Sequence, residues 1–311
     1  MSYPIDDKLV IAVSSSALFD LSDSHQVFLQ QGMEEYRRHQ EAHLDQAFPR
    51  GVAFSFIRRF LHINQVFAQQ PPVEVVLLSR NSPETGLRIF RSIEHYGLDI
   101  TRAAFMGGSS PHSYLAAFNA SLFLSANEQD VRNAIDAGLP AGVVLPSMAE
   151  DAREDYELRV AFDFDGVVAD DEAETVYKTN DLPEFQAHEQ AKRDIPHNPG
   201  PLADLFRGLA HLQALENAKA ETEEHYQKLI KVAIVTARNA PAHERVITTL
   251  KSWGVTLDEA FFLGGMEKAR VLNVLQPHLF FDDQRHHLRS SSASNIPMVH
   301  VPFGISNREQ T

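Results

Sequence analysis

The segment Asp163-Phe164-Asp165-Gly166-Val167-Val168 sets two carboxylates one residue apart, directly behind the apolar run Leu158–Phe162. Other polar groups stand in comparable places. Thr236 ends Lys231–Val235, Lys268 follows Ala260–Leu263, and Asp282-Asp283 follow Leu279–Phe281. If these runs are strands, four strand ends offer Asp-x-Asp, Thr, Lys and Asp-Asp to one crevice, the place where open α/β sheets bind ligands. Carboxylates gathered there repel one another and call for a cation. The chain has no cysteine, and an oxygen-only donor set selects a hard ion, most plausibly Mg²⁺. Such an ion beside a phosphate offsets the repulsion between an anionic nucleophile and an anionic substrate. A carboxylate in this setting can become an acyl phosphate. A second can protonate the leaving oxygen and then activate water. A hydroxyl and an ammonium can hold the remaining phosphoryl oxygens.

Short β-branched runs alternate with helix-length stretches along the whole chain, which predicts α/β architecture with mainly parallel sheets. The runs are Leu9–Val13, Val73–Leu78, Ala103–Met106, Leu122–Leu124 and Ala141–Leu145, then Leu158–Phe162, Lys231–Val235, Ala260–Leu263, Leu279–Phe281 and Met298–Val301. Thr85–Tyr96 and Ala242–Trp253 are the clearest helical patterns, each ending beside a glycine. The two sets of five align. Leu9–Val13 falls on Leu158–Phe162, Tyr36–Ala42 on Phe185–Ala191 and Gly51 on Gly200 at one offset. Arg80-Asn81-Ser82-Pro83 then falls on Arg238-Asn239-Ala240-Pro241, and Phe105–Gly108 on Phe262–Gly265. The expectation is two tandem Rossmann-like copies, 1–150 and 151–311, divided near the acidic segment Met148–Tyr156. In the first copy Asp163 and Asp165 are replaced by Ser14 and Ser16, Lys268 by Pro111, and Asp282-Asp283 by Ser125-Ala126. The first copy is therefore expected to be catalytically silent.

Asp+Glu number 42 against Lys+Arg 28, a formal charge of −14. That balance argues against a nucleic-acid polymer as partner. No apolar stretch is long enough for a membrane span, and Met1–Lys8 has no signal-peptide character. A soluble cytoplasmic protein is expected.

The ordered set Asp-x-Asp, Thr, Lys, Asp-Asp resembles the haloacid dehalogenase superfamily of phosphohydrolases. Ala12-Val13-Ser14-Ser15, Ser79–Pro83, Gly107–Pro111, Val235–Arg238 and Phe280–Gln284 are similar to the cytosolic 5′-nucleotidase type I family, a likeness running from about Leu9 to about Gly304. The resemblance implies Mg²⁺-dependent hydrolysis of nucleoside 5′-monophosphates through an aspartyl phosphate. It makes Asp163 the nucleophile and Asp165 the general acid/base, with Thr236 and Lys268 on the phosphoryl group. Asp282 and Asp283 would complete a metal site with Asp163 and the Asp165 carbonyl. It also implies a small helical cap near 170–227, from which Phe185, His188 and Arg193 could face substrate. Two alternatives remain. One is a phosphatase of another small phosphate monoester. The other is a nucleotide-binding regulatory protein without turnover.

Arg80 and Arg238 read equally as contacts to a nucleotide or to the other copy, or as parts of a helix-entry motif. Asn81 and Asn239 read as helix caps, with Asn239 also a candidate substrate contact beside Arg238. His286-His287 read as surface residues. The sequence gives no oligomeric state, and a homo-oligomer stays open.

Overall fold

Each predicted apolar run becomes a strand in the computed structural model, which describes residues 3–149, 151–152, 154–291 and 295–308. Residues 150 and 153, in the expected boundary segment, lie outside these. The chain divides into two compact units, Met1–Leu139 and Pro140–Thr311.

The first unit holds β1 (Leu9–Val13), β2 (Val73–Ser79), β3 (Arg102–Phe105) and β4 (Ala120–Ser125), all parallel, in the order β3-β2-β1-β4. β2 is buried along its whole length, as a continuous apolar run in a sheet covered on both faces must be. Its helices are α1 (Ser15–Leu18), α2 (Ser22–Ala42), α3 (Phe54–Val66), α4 (Pro83–His95) and α5 (Glu128–Asp136). α2 is kinked at Gly32, whose φ is 83°.

The second unit holds β5 (Ala141–Val144), β6 (Leu158–Phe162), β7 (Ile230–Thr236), β8 (Glu259–Phe262), β9 (Leu279–Asp282) and β10 (Met298–His300) in the order β5-β10-β9-β6-β7-β8. All neighbours are parallel except β5 and β10. The sequence grouped Ala141–Leu145 with the first copy; the second compact unit begins at Pro140 and includes β5, whose Val143 and Val144 pair with His300 and Val299.

The second unit's helices are α6 (Glu172–Thr179), α7 (Leu182–Ala191), α8 (Ala203–Thr222), α9 (His243–Ser252), α10 (Lys268–Leu275) and α11 (Arg285–Ser291). Phe162 of β6 stacks on Phe281 of β9 with centroids 4.9 Å apart, and its edge meets Phe206 of α8 at 5.4 Å. Rings packed this way contribute beyond their buried area. They fix the strand end from which Asp163 emerges.

Neither asparagine is a helix cap. Ser82 caps α4 in a capping box with Thr85, and Pro83 takes the first helical position, where its missing N–H costs nothing. The Asn81 side chain instead accepts from the Ser79 and Ser15 hydroxyls and donates to Tyr36 and Thr85. α9 begins at His243 with no side-chain cap, and Asn239 is exposed.

Candidate active site

Asp163, Thr236 and Asp282 stand at the carboxyl ends of adjacent strands β6, β7 and β9, and Lys268 opens α10 after β8. All four are buried. The Lys268 ammonium lies 2.6 Å from Asp163 Oδ2 and 2.6 Å from Asp282 Oδ2. Asp163 Oδ1 accepts the Phe164 N–H at 2.8 Å. Asp282 Oδ1 accepts the Gln284 N–H at 2.8 Å, and the His287 ring lies 3.2 Å from Asp282 Oδ2. Asp163, Asp282 and His287 bring one ligand atom each within 4.8 Å of one another. His286 is exposed as expected, whereas His287 is half-buried against the site.

The electrostatics follow from burial and crowding. Burial pushes the Asp163 carboxyl up, Lys268 pulls it down, and Asp282 and Asp165 push it up again, leaving it at about 7. Burial works against ionised Asp282 too, but Lys268 and His287 outweigh it and hold that group at about 2. Burial opposes the Lys268 charge, yet the two aspartates hold its pKa above the usual range.

Asp283 is different. It is fully buried, and among the described residues neither carboxylate oxygen has a hydrogen-bond partner. Burial, Glu174, Asp282 and Asp163 all raise its pKa. One buried oxygen of Glu174 also lacks a partner. A buried carboxylate without donors is costly, and a hard cation is the missing partner that oxygen donors fit. The turn at Phe164–Val168 creates the room. Gly166 has φ 70°, and a Cβ on it would stand 2.8 Å from Asp283 Cγ, so a side chain here would collide with that carboxylate.

Asp165 does not point into the same pair of contacts. Its two oxygens accept from Arg238 Nε and Nη2 at 2.7 and 2.6 Å, a bidentate fork. Arg238 is buried, bonds Glu189 of α7, and lies over the Phe164 and Phe185 rings at 5.3 and 5.6 Å. Glu189 also accepts from Arg245 Nη1 at 2.8 Å and meets His197 Nε2 at 3.2 Å. Arg245 reaches Glu172 of α6 at 2.9 Å. Phe185 packs with Ala173 and Ala242. His188 sits between Glu172 and Glu189, at 3.4 and 3.1 Å. Arg193 is exposed, 3.5 Å from Asp194. Thr236 Oγ1 accepts the Arg238 N–H at 3.3 Å.

Glu189, His197 and Arg245 were not singled out in the sequence, and His287, read there as a surface residue, lies against Asp282 instead. One signal existed. Glu189 aligns with Gln40, and both are buried beside an arginine: Arg88 Nη1 donates to Gln40 at 3.2 Å.

Glu189 supports a prediction. Burial alone would raise its pKa, but His197 and Arg238 hold it well below the usual range. A carboxylate depressed on folding contributes stability above its unfolded pKa of about 4.3, lost only as pH falls through the folded value. Glu189→Gln leaves two buried guanidinium groups without their shared counter-charge, at a cost of about 3–5 kcal/mol. Its melting temperature should fall by about 10 °C. The gap to wild type should stay constant from pH 8 to about 5 and narrow only below about 4, read by thermal melting across pH.

Acid, hydroxyl and ammonium groups thus meet at neighbouring carboxyl strand ends of an α/β unit, with the buried Asp283 carboxylate beside them. A family model described as 5′-nucleotidase matches residues 1–308. The chain is 34% identical over 289 residues to human cytosolic 5′-nucleotidase 1B, covering 91% of this chain and 47% of the relative. The chain belongs to the 5′-nucleotidase family. It spans about half the length of that curated relative. A solved structure described as an S. aureus MnaA-UDP co-structure covers 94% of the chain and 78% of its own, at 7% identity and a TM-score of 0.20, a likeness too slight to inform the fold.

Proposed function

We propose that the protein is a cytoplasmic Mg²⁺-dependent 5′-nucleotidase that converts nucleoside 5′-monophosphates to nucleoside and phosphate. The observation that carries this reading is Lys268, held 2.6 Å from both Asp163 and Asp282 at the ends of adjacent strands, in a chain of the 5′-nucleotidase family. Asp163 and Asp283, with Asp282 and the Asp165 carbonyl beside them, would hold the ion, which when bound offsets the charge of carboxylate and phosphate together.

In the proposed reaction a carboxylate oxygen of Asp163 attacks phosphorus. The bond to the nucleoside O5′ breaks as Asp165 gives that oxygen a proton. Asp165, now ionised, takes a proton from water, whose oxygen attacks phosphorus and releases phosphate from Asp163. Lys268 and the Thr236 hydroxyl hold phosphoryl oxygens as charge redistributes. Arg238 is a positioning residue: its two-pronged contact aligns the Asp165 carboxyl and meets the charge left there once the proton has passed to the leaving oxygen.

We read the two units as copies of one fold, the first silent. Three features support this. Corresponding strands have the same order, β3-β2-β1-β4 and β8-β7-β6-β9. Gly51 and Gly200 each sit where a Cβ would meet a carbonyl oxygen, at 2.6 and 2.3 Å. Buried arginines meet Gln40 in one and Glu189 in the other. The proposed cap is narrower than 170–227. Phe206 of α8 packs on the β6 core, which leaves α6 and α7, with Phe185 and His188, as the cover over Arg238.

The test is phosphate release from nucleoside monophosphates and sugar phosphates, with Mg²⁺ and with chelator. Metal-dependent release from nucleotides is expected. Release from sugar phosphates alone discards the substrate, and nucleotide binding without release discards the hydrolase.

A further inference from the structure

The first unit contains a cavity of about 670 Å³ at the carboxyl ends of its strands. We infer that it binds an uncharged nucleoside. The choice of a nucleoside among uncharged aromatic ligands rests on the 5′-nucleotidase reading; the exclusion of anions does not.

The floor is made of short hydroxyls beside an amide, Asn81, whose own bonds go to Ser15, Ser79, Tyr36 and Thr85. Ser14 follows β1, Ser125 ends β4, and Asn81 follows β2. Ser14 and Ser16 hydroxyls lie 3.0 Å apart. Groups of this kind both donate and accept, as sugar hydroxyls require. The wall is aromatic. His25 stacks on Phe28 at 6.2 Å, and the edge of Phe28 meets Tyr36 at 6.0 Å. Phe28 and Met33 line the cavity yet remain exposed. A flat base laid on them covers apolar surface now left to water. The volume lies in the ordinary range for small-molecule sites.

The charges exclude a phosphate. Two cations, Arg37 and Arg80, and two carboxylates, Asp20 and Asp130, line the cavity. Asp130 grips Arg80 at 2.8 and 2.6 Å, and Glu84 lies 3.7 Å from Arg37. Asp20 accepts the Ser22 N–H at 2.9 Å. Pro111 and Ser125 stand where the second unit has Lys268 and Asp282. Among the described residues that line the cavity there is no lysine and no acidic cluster that a cation could bridge to a dianion. The duplicated crevice has kept its place and lost its affinity for the phosphoryl group.

The experiment is titration calorimetry of the full chain with adenosine and, separately, with inorganic phosphate. It compares wild type with Phe28→Ala, at an exposed position, and Ser16→Phe, which fills the cavity. Adenosine should bind at least tenfold more weakly to both variants. Their melting temperatures and initial rates of phosphate release should be unchanged. Equal adenosine affinity in wild type and both variants overturns the inference. So does phosphate binding that both variants weaken. A wild type that releases no phosphate from any nucleotide sinks the hydrolase reading and leaves the calorimetric result standing on its own.

Discussion

Asp163→Asn is expected to lower phosphate release by about 10⁴-fold or more while the protein stays folded. Asparagine keeps the shape and removes the only oxygen charge the proposed reaction can attach to phosphorus. The stability consequence has the opposite sign from most active-site losses. Burial and the neighbouring Asp282 and Asp165 lift Asp163 to about 7 despite Lys268. A carboxyl whose pKa rises on folding costs stability as pH climbs from its unfolded value through the folded one. The asparagine variant should therefore melt no lower than wild type at pH 8 without divalent cation. Lys268 keeps Asp282 as its partner. Thermal melting and phosphate release on the same preparation check both halves. A folded variant with wild-type rate would remove Asp163 from the reaction.

Lys268→Met should do the reverse on stability. Methionine fills a similar space without the charge and leaves Asp163 and Asp282 buried side by side. Breaking a buried pair in this way costs about 3–5 kcal/mol, a melting drop of about 10 °C. The turnover number should fall by about 10²–10³-fold, the usual effect of deleting one preorganised electrostatic contact. Lys268 is also what lowers Asp163. Its removal should shift the acid limb of the pH–rate profile to higher pH, which a merely structural lysine would not do. Rates measured across pH on the variant decide this.

The strands were legible because each is a continuous apolar run, and that is also why strand ends located Asp163, Thr236 and Asp282. What lay beyond sequence was which partner each polar group chooses. Asp165 takes a fork from Arg238, 73 residues away in sequence, and Glu189 gathers Arg238, Arg245 and His197. No local pattern encodes such pairings, since they depend on how α7 is laid across the strand ends. β5 shows a related limit. Its composition says strand, but the compact unit it packs into, Pro140–Thr311, depends on contacts that no local pattern carries. Asn81 failed as a cap because a serine one residue later competes better for α4, whereas α9 takes no side-chain cap at all.

If the proposed site takes its ion, the oxygens of Asp283, without partners among the described residues, would make folding and ion occupancy a single linked equilibrium. In the proposed site the empty protein holds negative charge it would rather shed, and a bound cation relieves it only in the folded chain. Occupancy at a hundred times the dissociation constant adds about 2.7 kcal/mol. The native ensemble of such a protein would rise and fall with the free divalent ion around it, so conditions that deplete the ion would thin the population of folded molecules as well as silence the proposed site.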